Sequence, residues 1–114
     1  MKRVALAVLV AAGLGLPLTA FAAETWKNVS VVDTNCISKV KSNPDAHTTK
    51  CALQCQKGGY GLVTADGTYL KFDAAGNEKA VAALKATQKT DHLRATVTGE
   101  RDGETIKVTA LAID

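Results

Sequence analysis

Residues 60–72 read YGLVTADGTYLKF, and the predicted fold is built outward from this segment. Residues 60–65 and 68–72 are rich in the β-branched and aromatic side chains that favour extended strands. Asp66-Gly67 stands between them, and a two-residue linker of this type favours a β-hairpin with a type I′ turn. The segment therefore predicts two antiparallel strands that lie side by side in a sheet.

On the C-terminal side of this hairpin, the pattern predicts a helix and then a second hairpin. Residues 78–89 have the periodicity of an amphipathic helix. The second hairpin joins residues 92–100 to residues 104–113 through a turn at 101–103. Alternation in the last strand predicts one buried face. The residues expected on that face are Ile106, Val108, Ala110 and Ala112.

On its N-terminal side, residues 26–32 predict a first strand, and a polar loop follows that contains Pro44. A short helix is predicted over 50–57, ended by Gly58-Gly59. The order strand, loop with a short helix, hairpin, helix, hairpin is that of an oligonucleotide/oligosaccharide-binding (OB) barrel. We therefore expect a mainly β (α+β) fold: an OB-like barrel of five strands, with a cysteine-bearing helix after strand 1 and one helix between strands 3 and 4. An α+β sandwich is the alternative.

The first 22 residues have the features of an export signal. Two basic residues precede an apolar stretch over 4–16, and the small-residue site AFA follows at 20–22. The apolar stretch is shorter than the roughly 20 residues that a membrane span needs. We predict cleavage before Ala23, which leaves a single domain over 23–114, without a membrane span, in the periplasm or secreted.

Composition excludes several classes of protein. The full chain has 114 residues, of which 46% are apolar, and a formal net charge of +3. Cleavage would remove Lys2 and Arg3, which lowers the charge from +3 to +1. A small domain of this charge with few aromatic residues lacks the positive groove and stacking surfaces of a nucleic-acid binder. It is also too short for a multidomain enzyme.

The residues with chemical potential are Cys36, His47, Cys51 and Cys55, all in the predicted connection between strands 1 and 2. An oxidising compartment favours a disulfide. On the predicted helix, Cys51 and Cys55 would have Cβ atoms about 5–6 Å apart, beyond the separation of about 3.5–4.5 Å in a disulfide. We therefore expect Cys36 to bond either Cys51 or Cys55, with the third cysteine free or intermolecular.

The same four residues also suit a metal site. Three thiolates and an imidazole match a closed tetrahedral zinc site, and thiolates with imidazole suit Cu(I). If the short helix reached back to His47, this residue would share a helix face with Cys51 and roughly with Cys55. A catalytic Cys51–His47 pair would need a third group to orient it, for which Asp33 is a candidate.

The chain resembles a family of small exported bacterial domains of unknown function. The family features are a tryptophan-led first strand, an aspartate three residues before a cysteine, a histidine with two more cysteines, and a glycine-rich entry to a hairpin. The matching residues are Trp26-Lys27-Asn28-Val29, Asp33-Thr34-Asn35-Cys36, His47, Cys51, Cys55, Gly59-Tyr60 and Val97-Thr98-Gly99 with Ile106 and Val108. The resemblance implies a small barrel-like fold and a shared role for the cluster, with no established activity. Asn28 and Ile37 stand where members often have glycine.

These observations lead to three functional hypotheses. The first is a non-enzymatic periplasmic binding or scaffold module with a disulfide-pinned loop, no required cofactor, and a small ligand or a periplasmic protein as partner. The second is a protein that binds zinc or copper through Cys36, His47, Cys51 and Cys55. The third is a thiol-redox protein that acts through Cys51 and Cys55. We expect no nucleic-acid partner, and either a monomer or a disulfide-linked dimer.

Overall fold

The computed structural model describes residues 23–114, so the predicted export signal lies outside the described residues. The described strands are β1 (Glu24–Asp33), β2 (Tyr60–Val63), β3 (Tyr69–Phe72), β4 (Arg94–Asp102) and β5 (Thr105–Ile113). The described helices are α1 (Ile37–Val40), α2 (Thr49–Gln54) and α3 (Ala74–Ala86), with 3-10 turns at Pro44–Ala46 and Gln56–Gly58. The long connection between β1 and β2 therefore carries α1, α2 and both 3-10 turns.

The strands form a closed barrel in the order β1-β2-β3-β5-β4. β1 pairs antiparallel with β2 along one edge and with β4 along the other. β3 and β5 are parallel neighbours, and the pair Phe72–Ile106 lies in this seam. Closing the sheet in this way pairs the strand edges that an open sheet would leave exposed. The predicted mainly β, five-stranded barrel is confirmed, and the sandwich alternative is wrong.

Each strand contributes an aliphatic side chain that is fully or almost fully buried inside the barrel. These side chains are Val31, Leu62, Leu70, Val97 and Ile106, and α3 adds Ala80 and Leu84. All belong to one continuous apolar cluster. The hydrophobic effect of burying this cluster is the main force that holds the small domain closed.

α3 packs against β3 and β5 because its first turn is tied to the barrel. Asp73 Oδ1 accepts a hydrogen bond from the backbone N–H of Gly76 (2.9 Å) and another from that of Val108 (3.2 Å). One carboxylate thus caps the helix and links it to β5. This cap lets the helix begin at Ala74, before the predicted start at residue 78.

A β-bulge changes which residues of β5 face the core. Thr98 is paired with Ala110 and Gly99 with Val108, so Thr109 has no partner of its own on β4. One extra residue reverses the alternation of side chains along a strand. The predicted burial of Ile106 and Val108 is confirmed, whereas that of Ala110 and Ala112 is wrong, because both are exposed. Beyond the bulge, the residues that pack against the core are Leu111 and Ile113.

The turn between β2 and β3 is longer than the predicted two-residue type I′ turn. The N–H of Thr64 donates to the carbonyl of Thr68 (2.8 Å), and the N–H of Gly67 donates to the carbonyl of Thr64 (3.0 Å). A type I′ turn needs positive φ at both central residues. Here Gly67 has a φ of 87°, and Asp66 is not in the left-handed region. The side chain of Asp66 instead accepts hydrogen bonds from Thr64 and from the N–H of Thr68.

We expect Gly76→Ala to destabilise the domain although alanine favours helices. A Cβ at this position would lie 2.6 Å from Val108 Cγ2 and 2.8 Å from Phe72 Cβ, so α3 would have to move away from the barrel. Overpacking of this kind costs about 1–3 kcal/mol. Urea denaturation measures this loss, with Lys79→Ala on the exposed side of α3 as the control. A Gly76→Ala variant as stable as the control would contradict this packing.

Candidate metal centre

Asp33 ends β1 and supplies the central side chain of the candidate site. It is paired with Tyr60 in the barrel and its side chain is completely buried, with 0% exposed. Its Oδ2 accepts a hydrogen bond from the backbone N–H of Cys36 (3.1 Å). This bond turns the chain sharply after the strand, so that Cys36 returns to the carboxylate. Asp33 thereby connects the barrel to the loop that follows.

The other carboxylate oxygen faces an imidazole. Asp33 Oδ1 lies 2.6 Å from Nε2 of His47, whose side chain is only 3% exposed. The two groups thus form a close buried pair, and within residues 23–114 neither of these two atoms has a hydrogen-bond partner. A buried polar atom without a partner costs about 1–3 kcal/mol. Two buried atoms that are ordinary metal ligands therefore lie close together here.

The thiol of Cys36 completes a group of three. Its Sγ, a ring nitrogen of His47 and a carboxylate oxygen of Asp33 all lie within 4.8 Å of one another. The pKa of Cys36 is raised to about 11, mainly because the thiol is desolvated by burial. The negative charge of Asp33 and the nearby Cys55 also raise this pKa. The thiol is therefore protonated at neutral pH, and it must lose this proton before it can bind a metal.

Contacts with β4 and the segment before it hold His47 in position. His47 follows the 3-10 turn Pro44–Ala46, in which the Asp45 carboxylate forms a two-point ion pair with the Arg94 guanidinium (2.8 and 2.9 Å). Arg94 lowers the pKa of Asp45 mainly through this hydrogen bonding. The backbone carbonyl of Asp45 also accepts from the N–H of His92 (3.0 Å). The histidine is thus positioned by noncovalent contacts.

Two tyrosine hydroxyls anchor the backbone on either side of the site. Tyr60 is fully buried, and its hydroxyl donates to the carbonyl of Ala52 in α2 (2.7 Å). Tyr69 donates to the carbonyl of Val32 (2.8 Å), which directly precedes Asp33. Burial is the main cause that raises the pKa of each tyrosine to about 12. Both phenols remain protonated and continue to donate throughout the neutral range.

The predicted four-residue cluster is only partly assembled. Cys36 and His47 come together, whereas Cys51 is exposed and all three cysteines are free. Thr48 caps α2 by accepting from the N–H of Cys51 (3.1 Å), so the helix begins after His47 rather than including it. His47 therefore shares no helix face with Cys51. Cys55 stands at the C-terminal end of α2, close to Cys36 but outside the group of three.

Asp33 is the member of the site that the predicted ligand set leaves out. Its sequence signal was the spacing Asp33-x-x-Cys36, which allows the aspartate side chain to accept from the cysteine N–H. From the sequence alone, Asp33 is a candidate only for orienting a catalytic Cys51–His47 pair. Spacing alone could not show that the carboxylate would be buried beside His47, because that contact joins two segments of a long loop.

The group of three has the chemistry of a transition-metal site. Metal–ligand bonds of about 2.0–2.3 Å at tetrahedral angles separate the ligand atoms by about 3.3–3.8 Å. The three atoms already lie within 4.8 Å of one another. To reach tetrahedral ligand spacing, Asp33 Oδ1 and His47 Nε2 would have to move apart from 2.6 Å by less than about 1 Å. The residues present therefore fit a metal ion with only local adjustment.

Comparisons of the chain with protein-family models, with curated proteins and with solved structures found no match. The resemblance to the family of exported domains therefore stays a prediction. Within residues 23–114, no helix is long and apolar enough to span a membrane. Evidence on function thus comes from the geometry of the site itself.

We expect the free energy of unfolding to fall as pH rises from about 9 to about 12. The pKa of Cys36 rises from 9.0 to about 11 on folding, and those of Tyr60 and Tyr69 rise from 10.0 to about 12. The unfolded chain loses these protons at a lower pH than the folded chain does. The contribution of these groups to the free energy of unfolding is therefore fully present below pH 9 and is lost as pH rises through their folded-state pKa values. Denaturation curves of the metal-free protein at several pH values measure the effect. Cys36→Ala should weaken the fall that begins near pH 9, and a flat profile would contradict the burial of these groups.

Proposed function

We propose that this protein binds a transition-metal ion through Asp33, Cys36 and His47. One observation carries the proposal: Asp33 Oδ1 and His47 Nε2 are buried 2.6 Å apart, next to a thiol, and neither atom has a hydrogen-bond partner within residues 23–114. A cation held between these atoms would be bonded by both of them. Metal binding is coupled to folding, so a cation held by this buried carboxylate and imidazole would stabilise the domain.

Zinc is the metal that this ligand set favours. Carboxylate oxygen, imidazole nitrogen and thiolate sulfur are all ordinary zinc ligands. Cu(I) prefers soft sulfur ligands, and only one of the three ligands here is sulfur. Three protein ligands leave a fourth tetrahedral position for water or an external ligand, and Cys36 is only half-buried. We therefore favour zinc, with copper as the competing metal in the test.

The fold supports a binding role for the domain. We propose that the barrel is OB-like, because the strand order β1-β2-β3-β5-β4 and a helix between β3 and β4 are the features expected of that fold. The connection between β1 and β2, which flanks the usual binding surface of such barrels, carries the candidate site. We propose a non-enzymatic module that holds its metal on this loop.

Metal titration of the reduced protein tests this function. We expect one zinc ion per chain, and Co²⁺ in the same site should show a thiolate-to-metal charge-transfer band. Cys36→Ser and His47→Ala should each weaken zinc binding by at least about tenfold, because even outer-shell partners of a metal contribute that much. Circular dichroism of both variants shows whether the barrel remains folded.

The chain offers a matched control for each variant. His92 is exposed and Cys51 is exposed, so His92→Ala and Cys51→Ser should retain the affinity of the original protein. Absence of stoichiometric zinc or Cu(I) in the reduced, folded protein would reject the proposed function. If His47→Ala and His92→Ala lost the same amount of zinc affinity, the bound metal would not be at the proposed site.

We also propose that the domain works after export, in the periplasm or outside the cell. When the full chain is expressed in a bacterium with a C-terminal tag, the N-terminal sequence of the product should begin at Ala23. Replacing the basic start and interrupting the apolar stretch 4–16 with a charge should block this processing. A product that retains Met1 and stays in the cytoplasm would contradict export without affecting the metal proposal.

A further inference from the structure

Cys55 lies next to the candidate metal centre without belonging to it. The segment that follows β1 contacts the segment that precedes β2: the N–H of Thr34 donates to the carbonyl of Gly59 (2.9 Å). Asn35 packs directly on Gly58, where an added Cβ would lie 2.8 Å from the Asn35 side chain. Gly58 in turn donates its N–H to the carbonyl of Cys55 (3.1 Å). These contacts hold the chain segment of Cys55 against the segment of Cys36, and the Cys55 thiol is close enough to be among the groups that raise the pKa of Cys36.

The other cysteine has a different environment. Cys51 is in the first turn of α2 and is exposed, whereas Cys36 and Cys55 are both half-buried. Cys51 is also four residues before Cys55, a helical spacing that keeps the two Cβ atoms about 5–6 Å apart. A disulfide needs Cβ atoms about 3.5–4.5 Å apart. Of the three cysteine pairs, Cys36–Cys55 therefore has the strongest structural support.

We propose that Cys36 and Cys55 form a reversible disulfide that switches the metal site off. This inference rests on the proposed function, because Cys36 is also the sulfur ligand of the metal. A sulfur atom in a disulfide is no longer a thiolate and cannot serve as that ligand. The metal-bound state and the disulfide state are therefore mutually exclusive uses of one sulfur, and the redox state of the compartment selects between them.

The oxidation balances with a small disulfide compound, RSSR, as the oxidant. A cysteine thiolate attacks one sulfur of RSSR and releases RS⁻, which gives a mixed disulfide. The second cysteine then attacks the protein sulfur of that mixed disulfide and releases the other RS⁻. Each thiol loses one proton, and both protons end on the two RSH products. The two cysteines are oxidised by two electrons in total, and RSSR is reduced to 2 RSH.

The same chemistry restores the metal site. A dithiol reductant converts Cys36–Cys55 back to two thiols, after which zinc can displace the Cys36 proton and bind. Bound zinc should in turn protect Cys36 from oxidation, because its sulfur is then occupied. The switch thus has two stable states, a reduced protein with metal and an oxidised protein without it.

The test uses the Cys51→Ser protein, in which Cys36 and Cys55 are the cysteines of the described domain. Treatment with oxidised glutathione should lower the intact mass by two hydrogens and remove both titratable thiols. We expect zinc affinity to fall at least about 100-fold and to recover after reduction. Prior loading with zinc should slow the loss of thiols. If the disulfide forms and zinc affinity is unchanged, or if only mixed disulfides form, the switch is overturned.

A second variant separates this inference from the proposed function. Cys51→Ser/Cys55→Ser should bind zinc with an affinity within about threefold of its parent and should gain only a mixed disulfide on oxidation. A large loss of zinc affinity in this variant would make Cys55 a ligand and overturn the role assigned to it. If the reduced parent binds no zinc but still forms the intramolecular disulfide, the proposed function fails while the cysteine pairing stands.

Discussion

The contact between Asp33 and His47 is the constraint on which the functional region depends. Asp33 belongs to the barrel, His47 belongs to the long loop, and their side-chain atoms meet 2.6 Å apart with almost no exposure to solvent. A buried carboxylate is tolerated only when nearby groups compensate for its lost hydration. The N–H of Cys36 compensates one oxygen, and the other oxygen faces the imidazole. The loop that carries Cys36 and His47 folds back over the end of β1 and brings both residues to this carboxylate.

Noncovalent contacts keep this loop closed. The ion pair between Arg94 and Asp45 holds the turn before His47, and the hydroxyl of Tyr60 holds α2 through Ala52. The Arg94–Asp45 pair is partly exposed, so it contributes modestly to stability and mainly defines position. Because no covalent bond is needed to place Cys36, its sulfur is available for chemistry. All three cysteines of the described domain are free, so the loop reaches this position without the predicted disulfide.

The sequence predicted best those features that depend only on residues close together along the chain. Valine-rich and aromatic segments predicted the strands, and their order predicted the five-stranded barrel. The details that failed involve a partner strand or a competing hydrogen bond. Burial of Ala110 and Ala112 was wrong because a bulge opposite Gly99 reverses β5, and the β2–β3 turn differs because Asp66 hydrogen-bonds locally. The alternation of apolar and polar residues along one strand specifies neither the register of β4 against β5 nor the geometry of the β2–β3 turn.

A small, mainly β domain could be predicted from the amino-acid sequence alone, and so could the interest of Cys36 and His47, because composition and residue spacing are visible along the chain. Which of the candidate side chains come together became visible in the folded domain. Asp33, Cys36 and His47 are neighbours because barrel pairing buries Asp33, whereas Cys51 is exposed because α2 begins after His47. The physical reason is that ligand atoms are brought together by strand register and loop closure, both long-range properties that residue spacing does not specify.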